Sequence, residues 1–304
     1  MSDTMSKVAI IGAGAFGRAL AHLAQAGGPV RLFGRRAADG VETDIASGVA
    51  EADMIILAVP AQTTRKVLNI HANSFAKDAP LVLAAKGVER GTGALQSEIA
   101  AGFTPNPIMA LTGPSFAADL IRGLPTAITL AAGDPDRGEA VQHRLAGPAL
   151  RPYLSDDLIG AQIGGALKNV MAIACGAAMG RGLGESARAA LMTRGFAEMT
   201  RFAVARGGQA ETLAGLSGLG DLALTCAGAK SRNFTYGFAL GRGEVPETGV
   251  TYEGAATAGA VLALGRKMKI ETPITEVVAA LTAGETDVDG AMRALLNRPL
   301  TREG

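Results

Sequence analysis

Tryptophan is absent from this sequence, tyrosine occurs three times, and aromatic residues together make up 4% of its 304 positions. A core with so few rings has to rest on aliphatic and alanine packing. The composition, 48% hydrophobic and 19% charged, allows that and excludes intrinsic disorder. Cysteine occurs twice, at Cys175 and Cys226, with neither CxxC spacing nor a Cys-rich context. That excludes a disulfide framework and reads as two buried thiols in a reducing compartment. His22, His71 and His143 lack HExxH or similar spacing, so no metal site is expected. A dominant charge is missing too: 29 basic against 28 acidic residues, interspersed, give a net +1. No nucleic-acid partner is expected, and an anionic substrate has to be met by local cations. No apolar run reaches the ~18–20 residues of a membrane span. The longest, from Ala161 to Gly180, carries Lys168 and Asn169 near its middle. The polar residues 1–7 lead straight into a strand without a signal-peptide pattern, so neither membrane insertion nor export is expected and the location is read as cytoplasmic.

What is present is a series of short apolar runs. Val8–Ile11, Val30–Phe33, Met54–Val59, Leu81–Ala85, Ile108–Leu111 and Ala127–Ala131 alternate with helical or loop segments. Near-continuous apolar strands of this kind predict an α/β domain with a Rossmann-type, doubly wound parallel sheet covered on both faces. After Tyr153 the periodicity turns helical, with helices expected over 158–179, 187–205, 255–267 and 274–283. The chain divides on this reading into a dinucleotide-binding domain, 1–155, and an all-helical substrate and catalytic domain, 156–304.

Gly12-Ala13-Gly14-Ala15-Phe16-Gly17 is a G-x-G-x-x-G that follows a strand and opens a helix. Gly12 allows the tight turn, Gly14 lets a pyrophosphate approach the backbone, and Gly17 lets helix and strand pack closely. At the end of the second strand, where an acidic residue would favour the ribose hydroxyl of NAD, stands Phe33-Gly34-Arg35-Arg36. A guanidinium there suits a 2′-phosphate, so NADP is expected to be accepted. A solvated basic turn is the other reading of the same two arginines.

Lys168 lies mid-way along an apolar, small-residue helix, where burial would bring its pKa toward the range of a general acid or base. The residues equally allow it to snorkel at a helix edge. Asp221, amid apolar neighbours, needs a cationic or hydrogen-bonding partner; Lys168 is a candidate, and so is a plain N-cap role. Thr225 falls on the same helical face, four residues on. Ser231-Arg232-Asn233 offers a planar cation and amide donors suited to a phosphate monoester, or forms a polar turn. Lys86 and the Gly113-Pro114-Ser115-Phe116-Ala117 segment each follow a strand at the edge where open α/β sheets bind ligands.

In order and spacing, GAGAFG at 12–17, AAKGVE at 84–89, GPSFA at 113–117, LPTA at 124–127, GGALKNVMAIACG at 164–176, GLGDLALTC at 218–226, SRNFTYG at 231–237 and YEG at 252–254 resemble the bacterial-type NAD(P)-dependent sn-glycerol-3-phosphate dehydrogenases. The resemblance runs from Val8 to about Leu281. It implies reversible reduction of dihydroxyacetone phosphate with NADPH or NADH, supply of the glycerophospholipid backbone, and a homodimer. It makes Lys168 the general acid/base, with Lys86, Asp221 and Thr225 beside it in the catalytic group. It puts Lys86, Gly113, Ser115, Lys168, Asp221, Ser231, Arg232 and Asn233 on the substrate. It puts Gly12, Gly14, Ala15, Phe16, Gly17, Arg35, Lys86, Ala117, Arg232 and Glu253 on the cofactor. Phe16 replaces the family's usual Trp, and the 37–53 stretch is short and lacks the family's Asn…Tyr-Leu-Pro-Gly segment. A related two-domain reductase acting on a 3-hydroxy acid or ketopantoate is the alternative enzyme reading. A redox sensor that binds the cofactor without turnover is the alternative outside catalysis.

Overall fold

Each apolar run becomes a strand, because residues buried on both faces of a sheet need no polar alternation. In the computed structural model, which describes residues 7–300, the strands are β1 (Val8–Ile11), β2 (Val30–Phe33), β3 (Met54–Leu57), β4 (Leu81–Leu83), β5 (Ile108–Thr112), β6 (Thr126–Ala132) and β7 (Leu150–Ser155). They form one sheet in the order β2-β1-β3-β4-β5-β6-β7. The first five are parallel, with Ile10 of β1 in register with Leu32 and Ile56 on its two sides. Alternate residues feed two cores. Ile10, Ile56 and Met109 face α1 (Ala15–Ala24), α5 (Ala117–Ile121) and α6 (Pro135–Leu145). Ile11, Ile55 and Leu57 face α2 (Ile45–Ala50), α3 (Thr64–His71) and α4 (Gln96–Ala101).

The sheet departs from an all-parallel one at its far edge. β6 runs antiparallel to β5, and β7 is parallel to β6. β7 carries Pro152 and exposes Arg151 and Tyr153, a pattern suited to an edge strand and unlike the other runs, which is why sequence reasoning passed over it.

Beyond Ser155 the described chain is helical. α7 (Leu158–Gly180) starts on Asp157, whose side chain accepts from the Gly160 N–H. Every residue from Gly160 to Ala178 is buried. Around it lie α8 (Gly184–Ala205), α9 (Ala210–Ala214), α10 (Asp221–Cys226), α11 (Arg232–Gly241), α12 (Glu253–Met268) and α13 (Pro273–Thr282), with α14 (Val288–Leu296) against α13. Helices α9, α11 and α14 are additions to the sequence expectation; none exceeds 10 residues, and short helices leave little periodic trace. α7 is long and apolar enough by composition to cross a membrane, with mean hydropathy 1.4, but 89% of that window is buried inside the protein. Gln162 of α7 accepts from the Ser97 N–H and donates to its hydroxyl, pinning the central helix to the sheet-bearing half.

Candidate active site

The parallel strands end at one edge, and the loops leaving β4 and β5 there carry Lys86 and Gly113. α7 docks against this edge at Gly165, where a Cβ would stand 2.3 Å from Thr112 Oγ1. That closeness, available only to glycine, brings Lys168, one turn further on, up to the strand ends.

Lys168 Nζ donates to Asp221 Oδ1 at 2.6 Å and to Thr225 Oγ1 at 2.9 Å. Asp221 does not cap its helix. It is the first residue of α10, following a π-helical turn over Leu216–Gly220, and its carboxylate, 1% exposed, points inward. Its second oxygen accepts from Lys86 Nζ at 2.8 Å. One buried carboxylate therefore bridges two ammonium groups, one from each half of the chain. Thr225 Oγ1 in turn donates to Asp221 O at 2.6 Å. Lys86 also donates to Gly113 O at 2.7 Å and lies 3.5 Å from Ser115 Oγ. Burial pulls Lys168 down from 10.5 to about 8, against the attraction of Asp221 and with help from the Lys86 charge. A lysine tuned to that range can give and take a proton near neutrality.

The glycine loop has the shape a pyrophosphate requires. A Cβ on Gly12, at φ 122°, would meet Ala58 O at 2.3 Å, and one on Gly17 would meet Gly12 O at 1.8 Å. A Cβ on Gly14 would enter open space. Gly14 caps α1 without any side-chain bond, and the first turn holds no acidic residue, so its N–H groups are left for an anion. Ala15 and Phe16 follow on that turn, and the Phe16 ring lies 5.8 Å from Lys86 Nζ. Ala117 opens α5 beyond the GPSF turn. Arg35 and Arg36 are exposed, and neither has a hydrogen-bonded or ionic partner among the described residues. Glu42, which bridges to Phe33 at the end of β2, is held in a two-bond pair by Arg31.

The Ser231-Arg232-Asn233 segment divides in its roles. Ser231 Oγ accepts from the Phe234 N–H and caps α11. Asn233 accepts from the Gly254 N–H and donates to Asn169 Oδ1. Asn169 in turn donates to Lys86 O. Arg232 alone is exposed, with its field reaching Glu253 and Tyr252. Glu253 Oε1 accepts from the Ala61 N–H, Oε2 is buried without a partner among the described residues, and burial raises the carboxyl above its usual range.

Asn169 was not singled out in the sequence. A buried amide next to a buried lysine on an apolar helix needs partners, and that signal pointed to it. The cysteines lie close below: both are buried, and the Cys175 thiol together with burial holds Cys226 well above the usual thiol range. A groove of about 1050 Å³ between α7, α8, α13 and α14 is lined by none of these residues.

Two family models match the chain: NAD-dependent glycerol-3-phosphate dehydrogenase N-terminus over residues 37–137 and C-terminus over 157–293. A glycerol-3-phosphate dehydrogenase (NAD(P)+) of Brucella ovis is 46% identical over 323 aligned positions, covering 98% of this chain and 99% of that protein. The Afipia carboxidovorans protein of the same name is 47% identical over 325, covering 99% of each. Both alignments are longer than 304 residues, so each relative carries residues that this chain lacks. The crystal structure of glycerol-3-phosphate dehydrogenase from Coxiella burnetii superposes with a TM-score of 0.90 at 32% identity, covering 97% of this chain and all of that one.

Proposed function

The chain belongs to the NAD-dependent glycerol-3-phosphate dehydrogenase family and is an NAD(P)-dependent oxidoreductase; on that footing we propose that it reduces dihydroxyacetone phosphate to sn-glycerol 3-phosphate with Lys168 as the general acid. The observation that carries this reading is the Asp221 carboxylate shared between Lys168 and Lys86 at the strand ends.

The nicotinamide cofactor, when bound, supplies the hydride. Residues Gly12, Gly14, Ala15, Phe16 and Gly17 would hold its pyrophosphate side, Arg35 a 2′-phosphate, and Ala117, Arg232 and Glu253 the nicotinamide side. The orphaned Glu253 Oε2 fits an amide donor. Arg232, exposed and without an ion pair among the described residues, takes the substrate phosphate as a planar fork, and Asn233 retains one amide hydrogen for the same group. Gripping the phosphate orients the carbonyl and spends remote binding energy at the reacting centre.

As negative charge develops on the C2 oxygen, Lys168 donates a proton to it. Asp221 and Thr225 hold the ammonium in place, and Lys86 adds fixed positive charge beside Gly113 and Ser115. In the oxidative direction neutral Lys168 takes the proton back. Within this reading residues 1–155 carry the cofactor, residues 156–304 carry the acid and the phosphate grip, and the enzyme is a cytoplasmic homodimer supplying glycerophospholipid synthesis.

The test is to follow oxidation of NADPH and NADH with dihydroxyacetone phosphate, and with unphosphorylated 3-keto acids, as sole acceptors. Turnover confined to the phosphorylated ketone is expected. Turnover with the keto acids alone would overturn the substrate, and cofactor binding without any turnover would overturn catalysis.

A further inference from the structure

Lys86 is anchored by few hydrogen bonds. Its ammonium makes two short bonds, to Gly113 O at 2.7 Å and Asp221 Oδ2 at 2.8 Å, while the contact to Ser115 Oγ at 3.5 Å is at the limit of a hydrogen bond. The side chain remains 14% exposed, so water has a route to it. Over the same ammonium, with its centroid 5.8 Å from Nζ, stands the ring of Phe16. That distance lies within cation–π range. The ring is firmly mounted: Phe16 sits in the first turn of α1 and is half-buried against the core formed by α1 and the sheet.

We propose that Phe16 is a positioning residue for Lys86, its ring holding the ammonium against Gly113 O and Asp221 Oδ2 and keeping water off the Lys86–Asp221–Lys168 bridge. The inference rests on the reading of Lys168 as the acid, and gives the cofactor-loop aromatic a task in the proton chemistry.

The consequence reaches Lys168 through Asp221. Lysine has a flexible four-carbon stem and a strongly hydrated head, so an ammonium released from the ring can leave a shared carboxylate for solvent. Lys168 then loses a neighbouring positive charge and has Asp221 to itself. Both changes favour its charged form, so its pKa rises from about 8. The charged and titratable groups acting on Lys168 are Asp221 and Cys226 on α10 and Lys86 after β4. In the reductive direction Lys168 must be protonated, so the alkaline fall in kcat moves to higher pH when Phe16 is lost.

Phe16→Leu keeps most of the volume and removes the ring; Phe16→Trp keeps the best cation–π face. With cofactor and substrate saturating, Phe16→Leu is expected to lower kcat about threefold to tenfold, the range a partly desolvated cation–π contact supports. Its alkaline limb should shift up by about half a pH unit or more, a displacement worth less than the contact itself. Phe16→Trp should restore both. In a Lys86→Met background, Phe16→Leu should leave the limb where it is.

Lysine-selective carbon-13 NMR titration of Lys168, assigned with Lys168→Met, reads the same shift without turnover. It therefore tests the inference even if dihydroxyacetone phosphate proves not to be the substrate. A raised KM for the cofactor with unchanged kcat and an unmoved Lys168 titration would overturn the inference and leave Phe16 as a cofactor wall. Failure of Phe16→Trp to restore the wild-type limb would overturn it equally.

Discussion

Replacing Lys168 by methionine should cost the enzyme its turnover while sparing, or even raising, its stability at neutral pH. The first half follows from chemistry: loss of a general acid lowers kcat by at least ~10²-fold. The second follows from burial. Lys168 titrates at about 8 in the fold against an ordinary 10.5, so its charged form is disfavoured by roughly 3 kcal/mol relative to the unfolded chain. The unfolded state binds more protons between those two values. The penalty is therefore complete below about pH 8, shrinks as pH rises toward 10.5, and vanishes above it. Methionine has no such penalty. It leaves Asp221 Oδ1 short of one donor, which costs about 1–3 kcal/mol, but Lys86 still pairs the other oxygen, so the carboxylate is not orphaned.

The two terms nearly cancel at neutral pH, so the pH dependence is the sharper readout. Urea melts of Lys168→Met and wild type, taken in parallel from pH 7 to 10.5, should show the wild type gaining on the variant by roughly 3 kcal/mol. Groups common to both proteins and not coupled to Lys168 drop out of that difference. A difference in unfolding free energy that stays flat with pH would refute the account of Lys168 as a desolvated ammonium. A variant several kcal/mol less stable at pH 7 would show that the three-residue bridge is itself a source of stability.

Three further outcomes separate structural from ligand-facing residues. Gly14→Val should fold with a near-native melting temperature but lose cofactor affinity in calorimetry, because its side chain enters open space above α1; Gly17→Val should fail to fold, its Cβ falling 1.8 Å from Gly12 O. Arg232→Ala should raise KM for dihydroxyacetone phosphate by about 10²-fold, in line with removal of a charge-assisted bond, and leave the melting temperature unchanged, since Arg232 is exposed and has no ion pair among the described residues.

The features legible in the sequence were those written locally. The glycine loop needed only its place between β1 and α1, and the first six strands announced themselves as apolar runs. The Lys168–Asp221 pair was foreseeable because a charge on an apolar helix demands a partner. What escaped was set by tertiary contact. Lys86 joins Asp221 across 135 positions, and no spacing rule reports that. The amide chain from Gly254 through Asn233 and Asn169 to Lys86 O is assembled from four separate segments. Glu198 was missed for the same reason: buried on α8, it accepts from the Ile274 and Thr275 N–H groups and the Thr275 hydroxyl, capping α13 from a distant helix. Pro152 hid β7, because in sequence a proline argues against a strand and only the finished sheet reveals an edge.

The central helix α7 carries a consequence for the newborn chain. As it leaves the ribosome, before α8 to α13 exist to cover it, the 158–180 segment has the length and apolar composition of a membrane span. The strongest mark against insertion is the ammonium near its middle, which costs about 2.5–3.5 kcal/mol at the centre of a bilayer. On the proposed mechanism Lys168 would serve twice, once in chemistry and once as a charge that disfavours insertion of an apolar core helix into lipid. Replacing it with leucine would abolish turnover and also give the targeting machinery an uninterrupted hydrophobic segment.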